Sequence, residues 1–319
     1  MGKHLIVGAS GQLGVELMLA LQAKHGPDQV LLADLRAVPH PEAALSESLT
    51  MDATDADAVR RILERDDIGT VYMLVAMLSA RGESMPLDAW ELNMKSLLVM
   101  LEAAKDGLVD QVFWPSSIAV FGPDAPKENT PQHAALVPTT VYGLSKVSGE
   151  LWCQYYHDKY GVDVRSLRYP GLIGYRSQPG GGTTDYAVEA FAKARAGESM
   201  VCYLNPDERL PMMSMDDAIR ATIQLLEAPD VGIRTSYNLS GCSFSPRELE
   251  ECIQSQIPDF VMEYSPDHRQ GIAASWPDSI DDSQAQDDWN WRASHDLQGL
   301  MKYMFQGLGQ LAETENRLG

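Results

Sequence analysis

Short apolar runs alternate with longer amphipathic stretches through the first half of the chain. The apolar runs have the composition of buried parallel strands and cover residues 4–7, 29–33, 71–75, 111–117 and 162–171. The amphipathic stretches predict helices over residues 55–67, 88–107 and 141–159. Strands that alternate with helices in this way predict an α/β fold with a doubly wound parallel Rossmann sheet.

A glycine-rich loop, GASGQLG, follows the first apolar run and leads into a helical pattern. Gly8, Gly11 and Gly14 would let the backbone turn sharply, approach a pyrophosphate closely and pack the helix on the strand. Free N–H groups at the start of that helix would attract the anion. A plain strand-to-helix turn also collects glycines, so the loop alone decides nothing.

An acidic residue at the end of the second apolar run supports a dinucleotide-binding role for the glycine-rich loop. Asp34 lies twenty residues past Gly14, where a carboxylate is expected to bind the adenosine ribose hydroxyls. Arg36 is of the type that accommodates a 2′-phosphate, but Asp34 would repel that group. The sequence therefore predicts NAD as the cofactor, ahead of NADP.

The segment YGLSK at residues 142–146 places a tyrosine four positions before a lysine. On a helix, Tyr142 and Lys146 would project from one face. A tyrosine of pKa about 10 is a poor base at neutral pH, and a nearby ammonium together with an oxidised nicotinamide would lower that pKa. We interpret Tyr142 as the proton acceptor; the alternative is a surface helix pair, since the pattern is frequent by chance.

Two serines end the apolar run 111–117, about 25 residues before Tyr142. A serine there could donate a hydrogen bond to the reacting oxygen, with Ser117 the first choice and Ser116 the second. The alternative is ordinary turn chemistry at a strand end, which serines also favour.

The pattern changes after Gly171, where a glycine-rich stretch precedes a helix to about Ala196. This change predicts an NAD-binding domain over residues 1–174 and a smaller C-terminal substrate domain over 175–319. Residues 211–229 read as one helix that returns to the first domain, so the second domain would be discontinuous, with return segments near 211–240.

Helical segments 88–107 and 141–159 are candidates for a homodimer interface or for covering the sheet.

Composition narrows the class of protein. The chain has 319 residues, 45% of them hydrophobic, and a formal net charge of −20, which argues against nucleic acid and anionic membrane as partners. Four scattered cysteines without CxxC spacing, and histidines without a metal-binding spacing, predict a metal-free cytoplasmic protein.

The glycine loop, Asp34, the serine strand, YxxxK and RYPG together resemble the extended short-chain dehydrogenase/reductase family. Four further stretches resemble its NAD-dependent L-threonine 3-dehydrogenase branch, which is related to the UDP-galactose epimerases. They are LSARGE (78–83), PSSIAVFGP (115–123), PGGGTTDYAV (179–188) and RQGIAASWPDSIDDSQAQDDWNW (269–291). The resemblance implies oxidation of the β-hydroxyl of L-threonine; a sugar-nucleotide epimerase or reductase and a non-enzymatic NAD sensor are the alternatives.

The resemblance also implies a set of cofactor-binding residues. By it the pyrophosphate is held by Gly8, Ser10, Gly11, Gln12, Leu13 and Gly14. Asp34 binds the ribose, Asp52 and Ala53 the adenine, and Ala76, Asn93 and Leu172 lie along the cofactor, with Tyr142 and Lys146 beside its reactive end.

An α-amino carboxylate substrate needs small polar donors, and Ser79, Thr183 and Thr184 meet that need beside Ser117 and Tyr142. The two threonines could instead cap the following helix. The resemblance implies that Trp276 forms part of a wall or lid, whereas packing is the ordinary role of a tryptophan. The chain departs from the family pattern at residues 73–76 and at Ser214 and Asp216, which puts cofactor and substrate packing in doubt but not the catalytic pair.

Overall fold

The computed structural model describes residues 2–65, 67–176, 180–229 and 236–318. Its strands are β1 (Lys3–Val7), β2 (Val30–Asp34), β3 (Glu47–Thr50), β4 (Ile68–Met73), β5 (Gln111–Ser117), β6 (Asp163–Tyr169), β7 (Gly171–Ile173), β8 (Met200–Cys202), β9 (Leu210–Ser214), β10 (Tyr237–Asn238), β11 (Cys242–Phe244) and β12 (Met262–Tyr264). Seven of them form one sheet in the order β10-β6-β5-β4-β1-β2-β3. Every neighbouring pair in that sheet is parallel, as the alternating pattern predicted.

The helices are α1 (Gln12–His25), α2 (Ala56–Arg65), α3 (Ser79–Ser84), α4 (Pro86–Lys105), α5 (Val141–Tyr160), α6 (Tyr186–Ala196), α7 (Met215–Glu227), α8 (Pro246–Gln254), α9 (His268–Ala273), α10 (Ser283–Trp289) and α11 (Leu297–Leu318). Successive residues of β1 face opposite sides of the sheet. Leu5 and Val7 pack in one core with α2, α4 and α5, and Ile6 packs in another with α1 and α7. Helices on both faces make the sheet doubly wound.

A smaller unit covers the carboxyl end of the sheet with its own core. It contains the sheet β11-β9-β7 and the parallel pair β12-β8. Helices α6, α8, α9 and α11 contribute buried side chains to this core, as does the short turn 118–120 that follows β5. The smaller unit therefore packs directly against the end of β5, where the candidate serines lie.

The prediction of a single helix over residues 211–229 is wrong in its first part. Leu210 to Ser214 form β9, which pairs with β7 and β11, and the helix begins only at Met215. All five residues of β9 are buried, and an apolar run of this length does not distinguish a strand from a helix. Ser214 then starts α7 by accepting a hydrogen bond from the Asp217 N–H (3.2 Å).

Two later segments return to the seven-stranded sheet. Helix α7 packs in the same core as α1, and β10 extends the sheet beside β6. Trp291, which the sequence assigned to the smaller domain, is fully buried in that same core. These contacts support a discontinuous second domain, and the boundary at residue 175 stays a prediction; residues 230–235 lie outside the described residues.

Candidate active site

The glycine loop lies at the carboxyl end of β1, where ligands bind in open parallel sheets. Gly8 has φ +91°, a conformation that favours glycine, and its N–H donates to Ala33 O (2.9 Å). A Cβ on Gly14 would lie 2.5 Å from Gly8 O. No side chain caps α1 and its first turn carries no acidic residue, so this helix start is suited to an anion.

Asp34 is held in place by the same loop. Its Oδ2 accepts hydrogen bonds from the Ser10 N–H (3.0 Å) and the Ser10 hydroxyl (2.7 Å), and its Oδ1 accepts one from the Arg36 N–H (3.1 Å). Arg36 Nη2 in turn donates to Ser10 Oγ (3.3 Å). Ser10 thus orients the carboxylate at the end of β2 and brings Arg36 close to it.

The remaining cofactor candidates line the neighbouring strand ends. Asp52 accepts hydrogen bonds from the N–H and hydroxyl of Thr54, which hold the pKa of its carboxyl below the ordinary value. Ala53 is buried, and Ala76 and Leu172 are half-buried. Asp52 and Ala53 follow β3, Ala76 follows β4, and Leu172 lies in β7. Gln12 and Leu13 form the first turn of α1.

Asn93 fastens the loop that follows β4. From α4 its Oδ1 accepts from the Met77 N–H (2.7 Å), while its Nδ2 donates to Met77 O (3.2 Å) and to Ser145 Oγ (3.1 Å). Its amide therefore joins the loop, α4 and α5, and the loop carries Ala76.

Tyr142, Lys146 and Ser117 meet where α5 passes the end of β5. The Lys146 Nζ lies 5.4 Å from the centre of the Tyr142 ring and donates to Pro115 O (2.6 Å). Burial raises the pKa of Tyr142 to about 12, while a hydrogen bond with Ser117 acts in the opposite direction. Burial lowers the pKa of Lys146 to about 7, because an ammonium is costly to remove from water. The protein without cofactor thus keeps Tyr142 protonated, and the second positive charge that the sequence analysis invoked, an oxidised nicotinamide, is absent from this balance.

The two serines at the end of β5 have different partners. Ser117 bonds with Tyr142 and accepts from the Ala119 N–H (3.2 Å). Ser116 is buried and donates to Glu150 Oε1 (2.6 Å). Both serines therefore contact α5, Ser116 through Glu150 and Ser117 through Tyr142. The sequence analysis ranked Ser117 first and Ser116 second, and Ser117 is the serine that lies beside Tyr142.

A buried pair of hydroxyls bridges the two units near this site. Ser79 Oγ, at the start of α3, lies 3.1 Å from Thr183 Oγ1, and both side chains are buried. Thr184 packs against Gly171. The predicted capping of α6 by these threonines is wrong: Asp185 is the N-cap and no side chain caps it.

Asp185 shapes the glycine stretch before the threonines. Its Oδ2 accepts hydrogen bonds from the N–H groups of Gly181 and Gly182, each 2.8 Å long. Burial raises the pKa of this carboxyl, and the glycine N–H groups oppose that rise. The sequence analysis missed Asp185; its position directly after GGGTT was the available signal.

Trp276 is 5% exposed and lies in the core of the smaller unit, so the structure supports packing as its role. The Lys127 Nζ donates to its carbonyl oxygen (2.5 Å). Within the same C-terminal stretch, Asp282 accepts from the Trp291 Nε1 (3.1 Å) and from the Ser240 N–H (3.1 Å). These hydrogen bonds attach residues 276–291 to both units.

Within the described ranges, no group of three or more His, Cys, Asp and Glu side chains could hold a metal ion. The same ranges contain no helix long and apolar enough to cross a membrane.

Comparison with known proteins agrees with this geometry. The NAD dependent epimerase/dehydratase family matches residues 4–240. An uncharacterised epimerase/dehydratase of Staphylococcus aureus strain MRSA252 is 43% identical over 99% of both chains. Among solved structures, a GalE-like L-threonine dehydrogenase from Cupriavidus necator (holo form) is 50% identical with a TM-score of 0.93, covering 97% of this chain and 99% of that one. A monomeric L-threonine 3-dehydrogenase from a metagenome database is 45% identical with a TM-score of 0.92 over 97% and 99%.

Proposed function

The chain belongs to the NAD-dependent epimerase/dehydratase family, and we propose that within it the chain is an L-threonine 3-dehydrogenase that uses NAD. The reaction is oxidation of the β-hydroxyl of L-threonine to 2-amino-3-oxobutyrate. The observation that carries the proposal is the meeting of Ser117, Tyr142 and Lys146 at the same carboxyl edge of the sheet as the glycine loop, in a chain 50% identical to an L-threonine dehydrogenase.

The carboxyl edge of the sheet fits NAD in three respects. Only glycine fits at position 14 of the glycine loop. The start of α1 is uncapped, and Ser10 orients the Asp34 carboxylate. The residues that would hold the dinucleotide are Gly8, Ser10, Gly11, Gln12, Leu13, Gly14, Asp34, Asp52, Ala53, Ala76, Asn93, Tyr142, Lys146 and Leu172. When bound, NAD supplies the hydride acceptor and a positively charged ring next to the phenol.

Tyr142 is the general base of this mechanism. Its phenolate oxygen takes the proton of the β-hydroxyl, and Ser117, already bonded to Tyr142, donates a hydrogen bond to the reacting oxygen. The Lys146 ammonium stabilises the phenolate electrostatically. Because burial opposes phenolate formation in the protein alone, the base needs both positive charges.

Substrate binding is assigned to the small polar groups between the two units. The Ser79 and Thr183 hydroxyls, 3.1 Å apart, join α3 to the segment before α6. Hydroxyls at such a junction suit an α-amino carboxylate better than a nucleotide sugar. Thr184 is also assigned to substrate binding. Trp276 supports the site from the core of the smaller unit.

The proposal is tested by following NADH absorbance at 340 nm with purified protein, NAD and L-threonine at mildly alkaline pH. L-Serine, and NADP in place of NAD, are run in parallel. NADH formed with threonine supports the proposal. A folded protein that binds NAD but forms no NADH refutes it, and thermal stabilisation by UDP-sugars would then favour the sugar-nucleotide alternative.

Cofactor choice is predicted to depend on the charge of Asp34. Replacing it in Asp34→Asn keeps an acceptor for Ser10 but removes repulsion of a 2′-phosphate, which Arg36 then attracts. We expect kcat/KM with NADP to rise about tenfold or more, and kcat/KM with NAD to fall by about the same factor. Steady-state kinetics with both cofactors measures this. The double variant Asp34→Asn/Arg36→Ala is expected to lose the gain with NADP; an unchanged gain would remove Arg36 from the explanation.

We propose that α4 and α5 form a homodimer interface. The two helices pack side by side and expose large apolar side chains, among them Leu87 (81% exposed), Trp90, Leu144, Leu151 (66% exposed), Trp152 and Tyr155. An exposed apolar area of this kind commonly marks a protein interface.

The free state of all four cysteines, in turn, supports the proposal of a reducing, cytoplasmic location.

The interface is tested by Leu151→Glu, because a buried unpaired carboxylate opposes association. We expect light scattering to give a dimer for the wild type and a monomer for the variant, with the dissociation constant raised about 100-fold or more. Leu45→Glu changes another exposed leucine (56% exposed) outside these helices and is expected to stay dimeric. A monomeric wild type, like the metagenomic relative, would exclude the interface.

A further inference from the structure

Helix α5 presents three side chains to the end of β5, each one turn after the last: Tyr142, Lys146 and Glu150. Tyr142 bonds with Ser117, the Lys146 Nζ donates to Pro115 O (2.6 Å), and Glu150 Oε1 accepts from Ser116 (2.6 Å). Three consecutive residues of β5 are thus each bonded to one member of this face. The first two members carry the proposed proton chemistry, and the third has no assigned role.

Glu150 is a buried carboxylate with a fixed orientation. Its side chain is 8% exposed and that of its partner Arg168 is 4% exposed. Arg168 donates from Nη2 to Oε2 (2.7 Å) and from Nε to Oε1 (2.9 Å). The third guanidinium nitrogen is held by Gln132 O (2.9 Å) and Asn238 Oδ1 (3.2 Å). Two bonds to one guanidinium leave the carboxylate little freedom to rotate.

The charge environment of Lys146 depends on Glu150. Burial lowers the pKa of the ammonium, and Cys153 and Glu150 act in the opposite direction. Burial also raises the pKa of the Cys153 thiol, so that thiol is neutral at physiological pH and Glu150 is the anion that acts. The Trp114 ring, 4.4 Å from the Lys146 Nζ, favours the ammonium, while Arg168 beyond Glu150 opposes it.

We infer that Glu150 is a positioning residue for the proposed reaction, which keeps Lys146 charged beside Tyr142 and fixes the strand end that carries Ser117. The inference rests on the proposed function, because the charge of Lys146 serves the tyrosine. Ser116, the second choice for a catalytic serine, belongs to this support through its bond to Glu150.

The inference has a consequence for the protons of the pair. After the pair loses one proton, it exists either as phenol with amine or as phenolate with ammonium, and only the second form is a base. With pKa values of about 12 for Tyr142 and about 7 for Lys146, the first form predominates. Removing the Glu150 charge lowers the pKa of Lys146 further. The acidic limb of the profile of kcat against pH then moves to lower pH. On the plateau of this profile, kcat falls about tenfold for each pH unit by which the limb moves.

The test is the pH profile of kcat in Glu150→Gln, which removes the charge and retains the amide oxygen for Ser116. We expect the acidic limb to move down by about half to one unit and plateau kcat to fall about three- to tenfold. KM for threonine and Kd for NAD are expected to stay within about twofold. Ser116→Ala removes the hydrogen bond without the charge and is expected to leave the limb in place. Asp163→Asn removes the carboxylate of another arginine pair, with Arg165, at the far end of β6 from Arg168, and serves as the control.

If Glu150→Gln does not fold because Arg168 loses its counter-charge, Glu150→Gln/Arg168→Met removes both charges. In the double variant the limb is still expected to move down, because Glu150 is a principal charge acting on the pKa of Lys146 and Arg168, which lies beyond it, is not. A folded variant of either kind with an unmoved acidic limb overturns the inference, as does a limb that moves without the matching fall in kcat. Thermal unfolding gives a readout independent of turnover. Between about pH 7 and pH 10.5 the unfolded chain holds a proton on Lys146 that the folded protein lacks. The free energy of unfolding therefore rises with pH in that range.

Relative to Lys146→Met, which lacks this titration, the rise in melting temperature is expected to begin at lower pH in Glu150→Gln than in the wild type. This measurement separates two failures. A wild type inactive on threonine refutes the proposed function alone, whereas an unmoved stability profile refutes the role of Glu150 alone.

Discussion

Tyr142→Phe is expected to reduce kcat for threonine oxidation by about three to four orders of magnitude, because it removes the phenol oxygen that takes the hydroxyl proton. The phenol bonds with Ser117 and lies against Lys146, so the variant loses the base but retains its surroundings. Steady-state kinetics at saturating NAD and threonine measures the loss. NAD binding, followed by fluorescence titration, is expected to weaken no more than a few-fold.

A structural control accompanies this variant. Tyr155→Phe removes a hydroxyl that lies on the outer face of the same helix and bonds with Lys159 (2.6 Å), far from β5. It is expected to keep wild-type kcat. Comparable turnover by Tyr142→Phe and the wild type would eliminate Tyr142 as the base and with it the mechanism.

Gly14→Ala is expected to abolish measurable NAD binding, raising Kd by about 100-fold or more. The new Cβ would lie 2.5 Å from Gly8 O and 2.8 Å from Ala9 Cα, and both are backbone atoms that cannot rotate away. The glycine loop must therefore shift from the start of α1, at a cost of about 1–3 kcal/mol in the free energy of unfolding. Isothermal titration with NAD and denaturant unfolding measure the two effects.

Gly271→Ala is the matched control, since no atom lies within 4 Å of its added Cβ and its residue is helical. It is expected to bind NAD normally and to be as stable as the wild type or more so, by up to about 1 kcal/mol. Gly11→Ala, whose Cβ would lie 3.4 Å from Gly8 O, is expected to cost less stability than Gly14→Ala. Equal NAD affinity in Gly14→Ala and the wild type would show that the loop is not the pyrophosphate site.

The sequence was most informative where one local pattern determines one structure. The apolar run 111–117 coincides with β5, and the helix carrying Tyr142 begins at Val141 as predicted, because periodicity and the Thr140 cap are local signals. The parallel sheet followed from the alternation of strands and helices. Asp34 at the end of β2 followed from its distance to the glycine loop.

Features set by distant partners were not accessible in the same way. Ser116 and Ser117 both contact α5, and which of them meets Tyr142 depends on how the helix lies against the end of β5. Glu150 has the spacing of a third member of the Tyr142 face, yet its burial depends on Arg168 in β6. The strand at 210–214 was taken for helix because its partners β7 and β11 flank it in space and not in sequence.

Trp291 completes the core that contains α1 and α7 from a segment far along the chain. Its indole is fully buried beneath α1 and α7, it donates to Asp282, and the Arg220 guanidinium lies 4.4 Å from its ring. During synthesis the N-terminal strands and helices leave the ribosome long before this residue does. A nascent chain that ends before Trp291 exposes the apolar surface that the indole covers, and such surface recruits chaperones or promotes aggregation. The nucleotide-binding half of the molecule therefore completes its core only after the segment around Trp291 has left the ribosome.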